Sequence, residues 1–128
     1  MHAPVDLSAH RWQHRLLLLF AEGPAADGVP PFLVDVQREA AGIMERDLIL
    51  AMVYASEEGA FGSTPLSMAQ NAALRAHFDV AVGETALLLV GKDGGVKVRA
   101  TPPVDLADIF QRIDAMPMRQ QEMRRNRP

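Results

Sequence analysis

The hydrophobic pattern of the first half of the chain predicts two buried strands with a helix between them. Residues 11–21, RWQHRLLLLFA, end in a continuous apolar run, and residues 48–55 read LILAMVYA. Such runs are typical of strands that are buried on both faces of a sheet. Between them, a Gly/Pro loop at 22–31 leads into residues 31–47, PFLVDVQREAAGIMERD, whose apolar side chains recur at helical spacing.

The second half of the pattern begins with a predicted loop at 56–65, SEEGAFGSTP. Ser63 or Thr64 is a suitable N-cap, and Pro65 suits the first helical position. We therefore expect a helix over residues 66–78, LSMAQNAALRAHF.

A hairpin and a last helix complete the predicted elements. In the stretch 85–101, the dipeptide Asp93-Gly94 separates two apolar segments, which is a strong hairpin turn signal. After the turn, valines alternate with Lys97 and Arg99, as in a half-exposed strand. Asp105 is the predicted cap of the final helix, whose apolar residues face the core.

The predicted order is therefore β-α-β-α-β-β-α, an α/β fold with a central mixed sheet flanked by helices. Strands that alternate with helices favour parallel pairing, and the hairpin adds an antiparallel pair. A length of 128 residues suits one core. We expect an N-terminal arm at 1–10, the domain at 11–123 and a basic tail at 124–128.

Composition and charge exclude several classes of function. The chain has no cysteine, so it offers no disulfide, no thiolate nucleophile and no Cys-ligated metal. The net charge is −3, but residues 119–128 carry +3 and leave −6 on the rest. This distribution and the lack of aromatic residues in the tail disfavour nucleic acid as a partner.

No segment has the roughly 20 apolar residues that span a bilayer. The run Leu16–Ala21 is too short for a signal peptide and is followed by Glu22. We expect a soluble protein, cytoplasmic if this is the full chain, while export and the oligomeric state stay open.

The C-terminal segment IDAMPMR, residues 113–119, contains an unusual motif. Pro117 disfavours helical geometry at Met116 and can open a second short helix. One interpretation is a structural clasp, in which the methionines pack on the domain edge and Asp114 pairs with Arg119 across the kink. The other is a methionine surface with an arginine fork for an acidic or phosphorylated partner. We favour the clasp.

The remaining charged candidates have ordinary structural explanations. Arg46 suits a helix C-terminus, and Asp47 is expected to pair with Arg46 or with Arg15. Lys92 and Lys97 are expected to project from the hairpin as solvated charges.

Two other pairs of residues have spacings that resemble chemical sites. His10 and His14 lack a nearby third ligand, so we expect no metal there. Asp35 and Glu39 are expected to face solvent. No cofactor is expected.

The predicted order resembles thioredoxin, and TALLLVGKDGGVKV resembles its third and fourth strands with their turn. Thioredoxins also carry Cys-x-x-Cys after the first strand and a cis-proline before the third. This chain has EGPAADGVPP and VGETA at those places. Neither cysteine nor that proline is present, so we expect neither a thiol oxidoreductase nor a peroxidase.

A closer resemblance covers residues 12–123. The segments WQHRLLLLFA, MERDLIL, LLLVGKDGGVKVR and IDAMPMRQQEM resemble the bacterial family called domain of unknown function 4174. That family is similar to the DUDES group of thioredoxin-like domains, which implies the fold and leaves the activity unassigned. The candidate family-motif residues are Trp12, Arg15, Arg46, Asp47, Lys92, Asp93, Gly94, Lys97, Asp114, Met116, Pro117, Met118, Arg119 and Glu122.

Two functional hypotheses follow. The first is a redox-inactive binding or structural module, whose protein partner meets the C-terminal motif or the loop from Glu22 to Pro31. The second is an enzyme of unknown reaction that uses non-cysteine polar residues at that loop. An enzyme requires a concave pocket with converging polar groups, whereas a module requires an exposed apolar or charged patch.

Overall fold

A six-stranded mixed sheet forms the centre of the protein in the computed structural model, which describes residues 5–126. The strands are β1 (Arg15–Ala21), β2 (Leu48–Tyr54), β3 (Gly59–Phe61), β4 (Thr64–Leu66), β5 (Ala86–Val90) and β6 (Val96–Ala100). The helices are α1 (Val29–Arg38), α2 (Ala40–Glu45), α3 (Met68–His77), α4 (Leu106–Asp114) and α5 (Pro117–Arg125).

The strand order is β4-β3-β2-β1-β5-β6, so β1 and β2 lie inside the sheet and β4 and β6 lie at its edges. β1 pairs in parallel with β2, and every other pairing is antiparallel. All seven residues of β1 are buried, which explains its continuous apolar run.

Helices cover both faces of this sheet. Leu17 and Leu19 of β1 face a core formed with α1, α2 and α4, while Leu18 and Phe20 face a core that includes Leu74 of α3. Alternate side chains of a strand point to opposite faces, so one apolar strand contributes to both cores. The expected α/β, thioredoxin-like architecture is confirmed.

Several predicted boundaries were wrong. β1 begins at Arg15 because residues 11–14 form a turn, and the expected helix over 31–47 is two helices that break at Glu39.

The direction of β5 also differs from the pattern. β5 runs antiparallel to β1, whereas alternation with helices had favoured parallel strands. A buried apolar run indicates burial but carries no information about strand direction.

The segment 56–65 is a β-hairpin rather than a loop that leads into a helix. β3 and β4 pair around a turn in which Gly62 has a φ of +60°. The helix starts later, at Met68, where Ser67 and Gln70 form a reciprocal capping box. Ser63, Thr64 and Pro65 resemble a helix start in sequence but belong to the turn and an edge strand.

The N-terminal segment is more ordered than the predicted irregular arm. Leu7–His10 form a short 3-10 helix, and Val5 and Leu7 pack against the core on the α3 side. The predicted basic tail continues α5 as far as Arg125, while residues 1–4 and 127–128 lie outside the described part. Within residues 5–126, no helix is long and apolar enough to cross a membrane.

A groove at the start of the first strand, supported by a charged cluster

Eight charged side chains meet where β1 begins, and they are drawn from segments far apart in sequence. We call this group the charged cluster. Its basic members are Arg15, Arg46, Lys92 and Arg119, and its acidic members are Glu45, Asp47, Asp114 and Glu122. The positive and negative charges balance, as is required where ionic groups leave water.

Glu122 of α5 is one centre of the charged cluster. Its two oxygens accept bonds from both terminal nitrogens of Arg15, at 3.1 and 3.0 Å, and Lys92 Nζ donates to Oε2 at 2.9 Å. Burial by itself raises the pKa of Glu122, but the bonds from Arg15 and Lys92 outweigh it and lower the pKa. The carboxylate therefore stays charged although only 7% of the residue is exposed.

Asp114, at the end of α4, is the second centre. Arg46 donates to both of its oxygens, at 3.1 and 2.9 Å, and Arg119 Nε donates to Oδ1 at 3.0 Å. Burial by itself raises the pKa of Asp114, but the bonds from these two arginines outweigh it, so the pKa is lowered. Arg119 also bonds the side chain of Glu45 at 3.0 Å, so it links α5 to α2 and α4.

The predicted pairing of Asp114 with Arg119 across the kink is confirmed. Pro117 is in the first turn of α5, as the motif indicated, with Met116 as the N-cap in extended geometry. Arg119 is 1% exposed, so its guanidinium is not a fork for an incoming partner. The C-terminal motif thus has the contacts of a clasp.

Two predictions about charged residues were wrong. Asp47 does not pair with Arg46 or Arg15, because its side chain accepts a bond from Lys92 at 2.8 Å. Lys92 is not solvated, because it is 8% exposed between Asp47 and Glu122. Its partners lie 45 and 30 residues away in sequence, so no local pattern indicates its burial.

Two residues beside the charged cluster adopt left-handed backbone conformations that side chains rarely occupy. Trp12 has a φ of +66°, and Asp47 has a φ of +51°. The Trp12 N–H donates to the Lys92 carbonyl at 2.7 Å, and the Arg15 N–H donates to the Asp47 carbonyl at 2.9 Å. These bonds fix the turn that precedes β1, and 59% of the Trp12 residue remains exposed.

A groove of about 660 Å³ opens between this turn, the β5–β6 hairpin and the α4–α5 junction. We call it the Trp12 groove. Its apolar wall consists of Trp12, Val96, Met116, Pro117 and Met118. A volume of this size lies within the range of about 300–1,000 Å³ that is usual for ligand sites.

The charged wall of the Trp12 groove is mainly basic. Arg15, Lys92, Lys97 and Arg112 line it, together with the single acid Asp93. Lys97 is half-buried and binds Asp93 at 2.7 Å, which lowers the pKa of the Asp93 carboxyl.

The predicted hairpin turn is confirmed at its central residues. Gly94 has a φ of +87°, and the Asp93 side chain accepts a bond from the Gly95 N–H at 2.9 Å. Arg11 Nε also donates to the Asp93 carbonyl, at 3.2 Å. The turn is therefore held against the segment that carries Trp12, which sets the width of the groove.

The opposite end of β1 has a different character. The loop after β1, where thioredoxins carry their two cysteines, has exposed Glu22 and Asp27 side chains. Gly28, with a φ of +82°, lies against the Pro102–Pro103 segment, whose peptide bond is cis. The two ends are separated by the length of β1, about 20 Å for seven residues.

His10 and His14 do come together, with their Nδ1 atoms 3.2 Å apart. Burial and the neighbouring His14 lower the pKa of His10. No group of three or more metal-binding side chains occurs within residues 5–126.

Sequence reasoning missed three residues of this region. Glu45 completes the charged cluster, while Val96 and Arg112 line the groove. Glu45 lies within the family segment MERDLIL, which was a usable signal. Val96 lies within the family segment LLLVGKDGGVKVR, so the same signal was available, whereas Arg112 lies outside these segments and an exposed arginine on a helix is an ordinary feature.

The structural comparison identifies the fold. A reduced 2-Cys peroxiredoxin from Plasmodium vivax matches with a TM-score of 0.68 and 16% identity, over 91% of this chain and 85% of the other. Thioredoxin peroxidase I from Plasmodium yoelii matches with a TM-score of 0.67 and 18% identity, over 91% and 80%. Mycobacterium tuberculosis AhpC gives a TM-score of 0.64 and 10% identity, over 87% and 73%.

These neighbours have a thioredoxin-like fold, and at such low identity they establish the fold alone. A search of curated proteins finds no significant match. The sequence itself matches a family model, described as a domain of unknown function, over residues 6–122. With that match over most of its length, the chain belongs to the DUF4174 family.

Proposed function

We propose that this domain is a protein-binding module without thiol chemistry, and that its partner binds in the Trp12 groove. The observation that carries the proposal is Trp12 itself, an exposed tryptophan held in a left-handed conformation at the mouth of a groove. Local backbone strain of this kind persists where surrounding contacts impose it, and it concentrates at functional sites.

The chemistry of the groove wall supports a protein partner. Tryptophan and arginine are the residues most enriched at the energetic centres of protein interfaces. Met116 and Met118 provide flexible, polarisable surface that adapts to an incoming side chain. Trp12 and Val96, at 59% and 49% exposure, extend this apolar surface to the rim.

The charged cluster supports the same proposal, because it holds the groove in shape before a partner arrives. Arg15 and Lys92 line the groove and are fixed by Glu122, while Arg119 holds α5 against α2 and α4. A preformed site loses less conformational entropy on binding than a flexible one.

The absence of cysteine from the chain separates this proposal from the chemistry of its structural neighbours. Peroxide reduction of the peroxiredoxin type uses a cysteine thiolate, and this chain contains none. The shared fold therefore supports a scaffold role in which only the architecture is retained.

The alternative hypothesis, an enzyme at the loop after β1, has weaker support. Glu22 and Asp27 are both exposed, whereas catalytic carboxyl groups are usually tuned by burial or by close charged neighbours. The groove with converging side chains lies at the other end of β1, where exposed Trp12 and Val96 provide the apolar patch that a binding module requires.

A matched pair of variants tests the proposal. Val96 lines the groove and Val34 lies on α1, and their exposures are 49% and 46%. We would immobilise the wild type, Val96→Asp and Val34→Asp, and quantify cross-linked proteins captured from the cells that express the domain. We expect a partner that the wild type and Val34→Asp retain equally, and that Val96→Asp loses by about tenfold or more, or about 1.4 kcal/mol.

Both variants should keep the wild-type free energy of unfolding within about 0.5 kcal/mol, because both positions are on the surface. Equal loss of the partner in both variants, or in neither, would contradict the proposed site.

A further inference from the structure

We infer that the partner is an acidic segment that adds to the exposed edge of β6 as an extra strand, with its apolar side chains in the Trp12 groove. This inference rests on the proposed function and specifies the chemistry and geometry of the partner. It depends on the sheet edge and on the charge around it.

β6 is the edge of the sheet that is able to accept a strand. The sheet ends in β4 on one side and β6 on the other. β4 has three residues and contains Pro65, which lacks an N–H and protects that edge. β6 has five residues and no proline, as in the edge strands to which extended peptides bind in other domains. Arg112 donates to its Lys97 carbonyl, so a strand that pairs there displaces this bond.

The groove surface is continuous along this edge. The Trp12 groove adjoins a second groove of about 470 Å³ between β6 and α4, and Arg112 and Ala115 line both. Val98 and Ala100 of β6 line the second groove. A strand added along β6 therefore has apolar surface for alternate side chains over most of its length.

The charges beside β6 favour an acidic occupant, because the basic side chains that line the two grooves outnumber the acids Asp93 and Asp108. Lys97 and Arg99 belong to the strand, and Arg112 extends from α4 to donate to the Lys97 carbonyl at 3.3 Å. Arg112 has no carboxylate within 4.0 Å among residues 5–126. Lys97 is paired with the exposed acid Asp93, whereas Arg99 is held by the exposed acid Glu84 and by the carbonyls of Phe78 and Asp79. An exposed ion pair contributes little, so an incoming carboxylate can replace Asp93 at Lys97.

The same charges disfavour a second copy of this chain. If two β6 strands paired symmetrically, Lys97 of each chain would lie near Arg99 of the other, and like charges opposite each other destabilise a sheet. Basic residues on an edge strand commonly prevent such self-pairing. An acidic strand would instead place opposite charges beside Lys97 and Arg99, which stabilises the pairing.

Short peptides test this inference directly. We would titrate the full chain with acetylated Glu-Val-Glu-Leu-Glu amide and with its charge-reversed form, Lys-Val-Lys-Leu-Lys. Trp12 is the only tryptophan, so its fluorescence reports on the groove. We expect the acidic peptide to bind about tenfold more tightly or better, a ratio that should shrink as salt rises.

Backbone pairing needs separate readouts. Bound acidic peptide should slow hydrogen exchange of the amides of residues 96–100. Acidic peptides that are N-methylated at odd or at even positions should differ, because only alternate N–H groups of a strand face its neighbour. Arg112→Glu should weaken the acidic peptide about tenfold, whereas Arg124→Glu, which changes an exposed arginine on α5, should not.

Each of the following outcomes would overturn the inference. The proposed function would still be tested separately, by the capture experiment with Val96→Asp. Equal binding of both peptides would mean that the site does not select for negative charge. Binding without protection of residues 96–100 would eliminate strand addition. Failure of both peptides to bind would eliminate the acidic segment, and dimers of the free protein with protected β6 amides would assign the edge to a second copy.

Discussion

The two ends of β1 differ in nearly every physical respect. At its start, four basic and four acidic side chains form a cluster beside a groove, and Arg15, Lys92, Arg119 and Glu122 of this cluster are buried. At its end, where thioredoxins carry their dithiol, the loop has exposed Glu22 and Asp27 and the chain has no cysteine. Burying charge is costly unless every charge is paired, so the first end is the one on which the fold depends more strongly.

This difference indicates that a familiar fold does not fix the place of function. The candidate family-motif residues that the sequence suggests lie mainly at the start of β1, far from the position of thiol chemistry in thioredoxins. A scaffold that keeps its sheet and helices while its charged and aromatic residues gather elsewhere is consistent with a different use of the same architecture.

The largest expected effect comes from Arg119→Ala, which tests whether the charged cluster is structural. Asp114 and Glu45 would each lose a charged partner. Because Arg119 is buried, while Glu45 is exposed and Asp114 keeps Arg46, we expect unfolding to become easier by about 3 kcal/mol, the lower end of the range for broken buried pairs. Chemical denaturation measures the change. Arg124→Ala, in the exposed last turn of α5, is the control and should stay within about 0.5 kcal/mol. Equal effects of the two variants would rule out the clasp.

Glu122→Gln tests the other centre of the cluster through pH. It keeps the shape of the side chain but leaves Arg15 and Lys92 without their shared anion, at a cost of about 3 kcal/mol near pH 7. The pKa of Glu122 is lowered from 4.5 in the folded protein, so its stabilising effect is complete above that value and disappears as pH falls through the lowered pKa.

The wild type should therefore lose stability steeply in acid, and Glu122→Gln should have a flatter profile over the same range. Glu84→Gln is a control for this experiment, because Glu84 is an exposed acid paired with Arg99 and should leave the profile almost unchanged. Parallel profiles for the wild type and Glu122→Gln would mean that this carboxyl is not linked to folding.

A smaller effect is expected at Trp12, where stability should depend on the residue that replaces it and binding should not. Glycine adopts a positive φ without steric cost, so Trp12→Gly should be more stable than Trp12→Ala by about 1 kcal/mol. Both variants should lose the captured partner. If alanine and glycine were equally stable, the left-handed conformation of residue 12 would not persist in solution.

Much of the fold could be predicted from the sequence because its strongest signals are local. The buried runs of β1 and β2, the Asp93-Gly94 turn and the Asp105 cap each depend on a few neighbouring residues. The β3–β4 hairpin could not be predicted, because the sequence Ser63-Thr64-Pro65 also matches the N-cap and first position of a helix.

The candidate site was predictable only in part, and for a related reason. Asp114 and Arg119 are five residues apart, so their pairing across a kink could be anticipated. The burial of Lys92 depends on Glu122 and Asp47, which only the tertiary fold brings near it. The groove is also a tertiary feature, because its walls come from three separate segments.

The most direct test of the central claim compares the two ends of β1 in a single capture experiment. Val96→Asp places a charge in the Trp12 groove, and Asp27→Lys changes a charge on the loop at the other end. We predict that Val96→Asp loses the partner that the wild type retains, while Asp27→Lys keeps it. Loss of the partner with Asp27→Lys and its retention with Val96→Asp would contradict this account and assign function to the end where thioredoxins act.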